Sequence, residues 1–270
     1  MRDLPKNLPT EWDLGALFAS DTDTKIEEEK KRAEAETMKF VNKWESRSDY
    51  LTDPKVLKEA LDDYNNWIEI SGTDGKVGYY FSLRQTVEDN SVIKTGLSQI
   101  ESHSIKLINK VQFFALRLGK VNTEKQKEFL TFPGLQIYKP FLERLFIEAK
   151  YTLSESEEKI MTLFGIPAAA NWVRLVSSLL AKEEVDGKSF SEIIGSLDSV
   201  NKLERDTAAK NINNIFAKHL DVAEAEMNSI LLAKKNSDEL RNLNRADLFR
   251  HIGDDIESEV VDTLVASVAS

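Results

Sequence analysis

Cysteine is absent from all 270 residues, so no disulfide framework, thiol nucleophile or cysteine-ligated zinc is available. Glycine and proline are scarce, 11 and 6 respectively, about half their usual combined frequency. Few tight turns are therefore expected, which favours long helices over a many-stranded β fold. A surplus of positive charge is also missing. Asp and Glu outnumber Lys and Arg 46 to 36 and the formal net charge is -10, against the basic patch that a nucleic-acid backbone calls for. No apolar run approaches the roughly 20 uninterrupted residues that span a bilayer. The opening stretch MRDLPKNLPTEWDLGALF has no apolar segment of the signal-peptide kind. Together these absences lead us to expect a cytoplasmic protein with neither membrane nor nucleic-acid partner.

Charged residues are 30% of the chain and hydrophobic residues 41%, an ordinary globular composition. Residues 1–20 read as a lead-in that packs Trp12, Leu14, Leu17 and Phe18 onto the body. Thr24 with Glu27 forms a capping-box pattern, and Ile26, Ala33, Phe40 and Trp44 follow on one helical face. Asp53 as N-cap with Pro54 at the first helical position marks a second start. Behind it come Val56, Leu57, Ala60, Leu61, Tyr64, Trp67 and Ile68, and the run Ser71 to Gly75 ends that helix. From Ser91 to Leu118 a seam of Ile93, Leu97, Ile100, Ser104, Leu107, Val111, Phe114 and Leu118 steps by four and three. Gly119 stands where a left-handed C-cap would end it. This seam fits the central helix of an antiparallel bundle; a dimeric coiled coil is the alternative.

Thr123 with Gln126 starts a short helix that Phe132-Pro133-Gly134 breaks, and Leu135 to Ala149 reads as the next. Ser154 with Glu157 is another capping box, heading Glu155 to Phe164, and Gly165 and Pro167 punctuate before Ala168 to Leu180. Val185-Asp186-Gly187-Lys188 is the one hairpin signal and marks a subdomain boundary. Helices resume near Ser191, Asp198 and Leu220, the last with Ala223, Met227, Ile230 and Leu231 on one face. Asp254 or Asp255 can cap a final helix carrying Val260, Val261, Leu264, Val265 and Val268. That helix stops without the usual C-terminal signals, so the natural chain is expected to continue. The fold class expected is all-α, an elongated multi-helix bundle with one short β-hairpin near residues 182–190.

Chemistry is sparse. None of the three histidines, His103, His219 and His251, belongs to a His-Glu-x-x-His motif. His103 adjoins the seam and reads as structural, and His219, near Glu224 and Glu226, as solvated surface. His251 with Asp254, Asp255 and Glu259 is the best titratable cluster, its aspartates explained by capping. Gly72-Thr73-Asp74-Gly75 lacks the spacing and ending of a phosphate loop, and no Gly-x-Ser-x-Gly elbow occurs. Asp62-Asp63 and Glu183-Glu184 are adjacent and so diverge on a helix, as surface charge does. We therefore assign no catalytic, cofactor-binding or metal residue.

Several stretches, in order, resemble the oligoendopeptidase F family of zinc metallopeptidases, over its N-terminal portion. They are Leu8-Pro9-Thr10-Glu11-Trp12-Asp13-Leu14 with Leu17-Phe18, and Phe113 to Leu118, where Arg117 replaces the family's usual Glu. Leu153 to Ile160, Ala170 to Leu175, Val185 to Lys188 and Ile256 to Leu264 follow. The resemblance implies residues 1–112 as an N-terminal helical region and 113–181 as an oligopeptidase F N-terminal-type helical domain. Residues 190–270 would begin the catalytic domain, ending before the zinc site. It further implies a channel-forming part of an enzyme that hydrolyses short peptides, with zinc bound by the full-length family but not by this chain, which should be inactive alone. Self-association through exposed C-terminal helices is a possible partner mode. The alternative function is a stand-alone helical interaction scaffold without catalysis.

Overall fold

The computed structural model describes residues 12–71, 75–87 and 90–269. It is helical nearly throughout, with a single two-stranded antiparallel hairpin among those residues. Two compact units divide between Lys150 and Tyr151.

The first unit holds α1 (Thr24–Trp44), α2 (Pro54–Ser71), α3 (Lys76–Val87), α4 (Ser91–Val111), α5 (Phe113–Gly119), α6 (Thr123–Thr131) and α7 (Lys139–Glu148). Capping chemistry sets these boundaries, in places one residue from where the sequence pointed. Asp23, not Thr24, caps α1, its carboxylate accepting from the Lys25 amide at 3.0 Å. Asn122 caps α6 in the same way. Asp53 accepts from Lys55 N–H at 2.8 Å and opens α2 as expected. The α2 stripe is buried at Leu57, Ala60, Leu61 and Trp67, whereas Ile68 is exposed. The expected turn at 72–74 lies outside the described residues.

Two apolar clusters hold this unit. Around Phe40, Trp44, Tyr50, Leu57, Trp67, Phe113, Phe114 and Leu142, α1, α2, α5 and α7 close over a ring-rich core. Phe114 lies 5.1 Å from both Tyr50 and Tyr64, ring centre to ring centre. Trp67 donates its indole N–H to Thr37 at 2.9 Å, which satisfies the one polar atom of a buried ring. The second cluster joins Phe18 and Ile26 to Val77, Tyr80, Phe81, Ile93 and Ile100. Helix α3, unassigned from sequence, supplies its centre. Phe18 of the lead-in packs edge-on against Tyr80, while Trp12 is exposed rather than packed. Asp21 accepts from Tyr80 and, with both oxygens, from Arg84; the guanidinium holds its carboxyl below the usual range.

The heptad seam is buried or half-buried from Ile93 to Leu118. It is covered by α1 and α3 of the same chain, so a coiled-coil partner is not required. Two expectations fail there. The helix breaks at Gln112 into α4 and α5, and Gly119 lies inside α5 with no left-handed backbone. Glycine is needed at 119 for close approach, since a Cβ would stand 2.8 Å from that of Ala149. A 3-10 turn, Pro133–Tyr138, also delays α7 to Lys139 instead of Leu135.

The second unit holds α8 (Glu155–Gly165), α9 (Asn171–Leu180), β1 (Glu184–Val185), β2 (Lys188–Ser189), α10 (Phe190–Gly195), α11 (Lys202–Lys218), α12 (Leu220–Leu240), α13 (Leu248–Gly253) and α14 (Ser258–Ala269). The Ser154–Glu157 box is fully formed, and a second joins Ser189 to Glu192. Gly165 and Pro167 do not interrupt the chain's course. A π-helical segment, Ile166–Ala170, absorbs the missing proline N–H and joins α8 to α9. The resulting 26-residue helix, Glu155–Leu180, is long and apolar enough to cross a membrane. Asp186 and Gly187, both at positive φ, make the hairpin turn. Asn201 caps α11, three residues past the expected Asp198.

Burial in this unit is thin. Among its described residues only Ile193, Ala208, Ile212, Ile215 and His251 are buried. The face of α12 carrying Met227 and Leu231 is open, as are Val260, Leu264, Val265 and Val268 of α14.

Candidate functional site

A network of linked titratable groups runs from Arg245 to Asp262. His251 is buried on α13, and its Nδ1 and the Ser258 hydroxyl are 2.8 Å apart. Its Nε2 is 3.4 Å from Asp247, one helical turn earlier on the same face. Arg245 then grips Asp247 and reaches Asp262 with two donors, at 2.9 and 3.0 Å. That guanidinium holds the Asp247 carboxyl down at about 2 and also lowers Asp262.

Serine, histidine and aspartate in line suggest nucleophilic catalysis, but the geometry argues otherwise. The His251 side chain is 8% exposed, so a substrate carbonyl cannot reach it together with Ser258. The 3.4 Å contact to Asp247 is longer than a good N–H···O bond, and that carboxylate is already committed to Arg245. The group is a clasp that fastens the first turns of α14 to α13.

The sequence singled out His251 correctly but gave it the wrong carboxylates. Asp254 pairs with Arg250, and Asp255 has left α13 at a φ of 55°. Neither caps α14, which begins at Ser258, and Glu259 is exposed.

The other histidines are also held in place. His219 is not free surface: its Nε2 lies 2.9 Å from Glu183, whose carboxylate also takes Lys218 Nζ at 2.6 Å. Lys218 first, then His219, lowers the Glu183 pKa. His103 sits beside the seam as expected, 3.6 Å from Glu34. Its Nε2 is buried without a hydrogen-bond partner among the described residues, and the residue lines a cavity of about 30 Å³ with Ser71 and Ser104. Asp62 and Asp63 diverge, the first to Lys58 and Tyr138, the second to Lys43 and Trp44. No group of three His, Asp or Glu side chains among the described residues could hold a metal ion.

Sequence reasoning missed the strongest polar contact of the second unit. Arg241, at the end of α12, forms a two-pronged pair with Glu158 of α8, Nη2 to Oε2 at 2.8 Å, and also donates to the Tyr151 carbonyl. Eighty-three residues separate the partners, so no local spacing could have signalled it.

A groove of about 300 Å³ runs between the hairpin and α11, with Ile193 and Ala208 in its floor. Its charged lining is Asp186 and the Lys188–Glu204 pair, 4.0 Å apart.

Comparison with known proteins gives this scaffold its context. Residues 118–182 match the family model described as Oligopeptidase F. An oligoendopeptidase F homolog of Borreliella burgdorferi is 27% identical over 176 residues, 62% of this chain and 27% of that protein. The crystal structure of oligoendopeptidase-F from Enterococcus faecium aligns with a TM-score of 0.73 at 15% identity, covering 90% of this chain and 49% of the other. A putative peptidase from Chlamydophila abortus aligns with a TM-score of 0.57 at 16% identity, over 95% and 44%. At such identities the two structures establish the fold alone. The chain spans about half the length of these solved relatives and about a quarter of the curated one.

Proposed function

We propose, for a chain that belongs to the oligoendopeptidase F family by its N-terminal portion, that it is the helical, channel-forming part of a zinc metallopeptidase hydrolysing short peptides. The observation that carries this reading is the fold match of nearly the whole chain to half of a larger oligoendopeptidase. Its second unit is the natural complement, since it exposes apolar faces that a complete fold would cover. In this reading residues 1–112 form an N-terminal helical region and 113–181 the family's N-terminal-type domain, which the match over 118–182 supports. Residues 190–270 begin the catalytic domain.

The residues present do not fit a zinc ion. His219 is held by Glu183, His103 has only Glu34 beside it, at 3.6 Å, and the one i,i+4 carboxylate partner of His251, Asp247, is already held by Arg245, so no two ligands face a free site. Zinc and its activated water therefore belong to polypeptide other than this, and this chain alone hydrolyses nothing. What it contributes is shape: a wall that admits peptides and excludes folded proteins.

A cytoplasmic setting without nucleic-acid or membrane partners completes the proposal. In this reading the 155–180 helix belongs to a soluble fold, because α12 lies along α9 and the π segment and Arg174 interrupts its apolar course. At high concentration the uncovered helices would bring copies together.

Two measurements test the proposal. The pure chain, dialysed and then supplied with zinc, should retain no stoichiometric metal and should not cleave a short internally quenched peptide. The natural reading frame should run on past codon 270 into a His-Glu-x-x-His motif. Tight zinc or cleavage by the chain itself would contradict the assignment, and a frame lacking that motif would favour the interaction scaffold.

A further inference from the structure

The helix Glu155–Leu180 runs beside α12, and Arg241 on Glu158 ties the two at one end. At the other end the chain leaves α9, makes the hairpin, α10 and α11, and returns to begin α12. The stretch in between, residues 184–218, has a core of its own. Ile193, Ala208, Ile212 and Ile215 are buried there, Val185 and Phe190 pack on them from within the same stretch, and Leu180 reaches in from α9. Phe190 meets Phe216 edge-on at 5.9 Å. The two helices that flank the return have different neighbours. α11 lies against α10 and the 3-10 turn Ser196–Asp198, whereas α12 lies against α9 and the π segment.

Two short connections carry this stretch. Residues 181–183 join α9 to β1, and His219 alone, at φ -114° and ψ 16°, separates α11 from α12. Glu183 bolts one connection to the other. One of its carboxylate oxygens takes Lys218 Nζ at 2.6 Å and the second lies 2.9 Å from His219 Nε2. An ionised carboxylate only accepts, so the imidazole donates from Nε2. Among the described residues, no other side-chain ion pair or side-chain hydrogen bond joins residues 184–218 to the rest of the unit. The Lys218 side chain is 56% exposed, against 13 and 12% in the Arg241–Glu158 tie. Solvent therefore screens this bolt, and it can open where the tie cannot.

We propose that residues 184–218 form a hinged lobe, that residues 181–183 and His219 are its hinge, and that Glu183 is the latch holding the lobe against its stem. Hinges are short stretches at the ends of elements that absorb a change of φ and ψ, and both connections are of that kind. A body whose buried residues lie within itself can turn on such a stem with its interior intact, giving up the Leu180 contact and the Glu183 bolt. A ligand that favours the turned lobe has only those two contacts to offset. The proposal rests on contacts inside the second unit and holds whether or not the parent protein cleaves peptides.

The chain has no cysteine, so pairs of introduced cysteines take spin labels at chosen places. Ala209→Cys with Asn228→Cys, both at exposed positions, measures α11 against α12. Ser191→Cys with Ala209→Cys, exposed likewise, measures a distance inside the lobe. In double electron–electron resonance on the full chain, the α11–α12 distance should be narrowly distributed while Glu183 is present. With Glu183→Ala it should broaden about twofold or gain a second peak, and the distance inside the lobe should stay as it was. Lys218→Met with His219→Leu opens the latch from the other side and should act alike, which keeps the test alive should Glu183→Ala fail to fold by circular dichroism. Glu184→Ala, at the neighbouring exposed carboxylate, should change nothing. An α11–α12 distribution as narrow without the latch as with it would overturn the proposal, as would one already broad in the natural chain. Broadening inside the lobe would overturn it too, because the stretch would then not move as one body.

Discussion

Arg241→Leu should unfold the second unit while sparing the first. The Arg241 and Glu158 side chains are 13 and 12% exposed, and the two-pronged pair is the main polar tie between the end of α12 and the first turn of α8. Removing the guanidinium leaves the Glu158 carboxylate with the Leu153 N–H at 2.9 Å and frees the Tyr151 carbonyl. It also removes a cation lying 5.4 Å from the Phe249 ring. Breaking so enclosed a pair costs about 3–5 kcal/mol. The lower end applies here, because the Leu153 amide still serves the stranded carboxylate. Roughly 3 kcal/mol is a large share of the 5–15 kcal/mol that stabilises an ordinary domain, and only five described residues of this unit are buried. A urea titration followed by far-ultraviolet circular dichroism should therefore split, with an early phase belonging to residues 151–270. The double variant Arg241→Leu/Glu158→Leu should recover much of the loss, because no charge is then left enclosed. A shift below about 0.5 kcal/mol for Arg241→Leu, the scale of an ordinary surface change, or strict additivity of the two changes, would show that the pair is not a tie at all.

In the first unit, Asp53→Ala should cost about 1 kcal/mol by removing the cap of α2. Trp67→Ala should cost about 3–5 kcal/mol by emptying a buried ring site; equal and negligible shifts in denaturant midpoint would contradict the packing of that helix. Asp247 has its pKa depressed, to about 2, so the stability it contributes is full above the ordinary carboxylate value near 4 and is lost as pH falls from there through 2. The Tm difference between the natural chain and Arg245→Leu should accordingly shrink over that window; a difference undiminished between pH 5 and pH 2 would refute the clasp. Asp21, lowered by Arg84, works in the same direction, and the gap between the natural chain and Arg84→Leu should likewise narrow below pH 4.

Where a local chemical rule decides the backbone, the residues announced it. Asp53-Pro54, Ser154 with Glu157, and Asp186-Gly187 each satisfy a turn's own amides or its positive φ, and each stands where its residue types place it. Tertiary context decided the rest. Helix α3 has Gly78 within it and adjacent aromatic residues, and its burial depends on Phe18 and α4, remote in sequence. The break at Gln112 has no Pro or Gly to mark it, and the four-three spacing continues across it. Gly119 read as a cap because glycine serves caps as readily as close contacts. At the clasp, Asp247 outranks Asp254 and Asp255 because it shares a helical face with His251, whereas those two follow the end of α13. The Glu183–His219 contact joins residues 36 apart, beyond the reach of any spacing argument.

The central claim is that residues 151–270 are one side of a larger packed structure while residues 12–150 hold cores of their own. Hydrogen exchange on the isolated chain tests it most directly, because protection follows buried apolar contact. Amides of α4 and α5 should exchange slowly, and those of α12 and α14 should open first, by orders of magnitude. Protection in α12 and α14 equal to that in α4, in a chain that remains monomeric at high concentration, would contradict the account and mark a complete, self-sufficient fold.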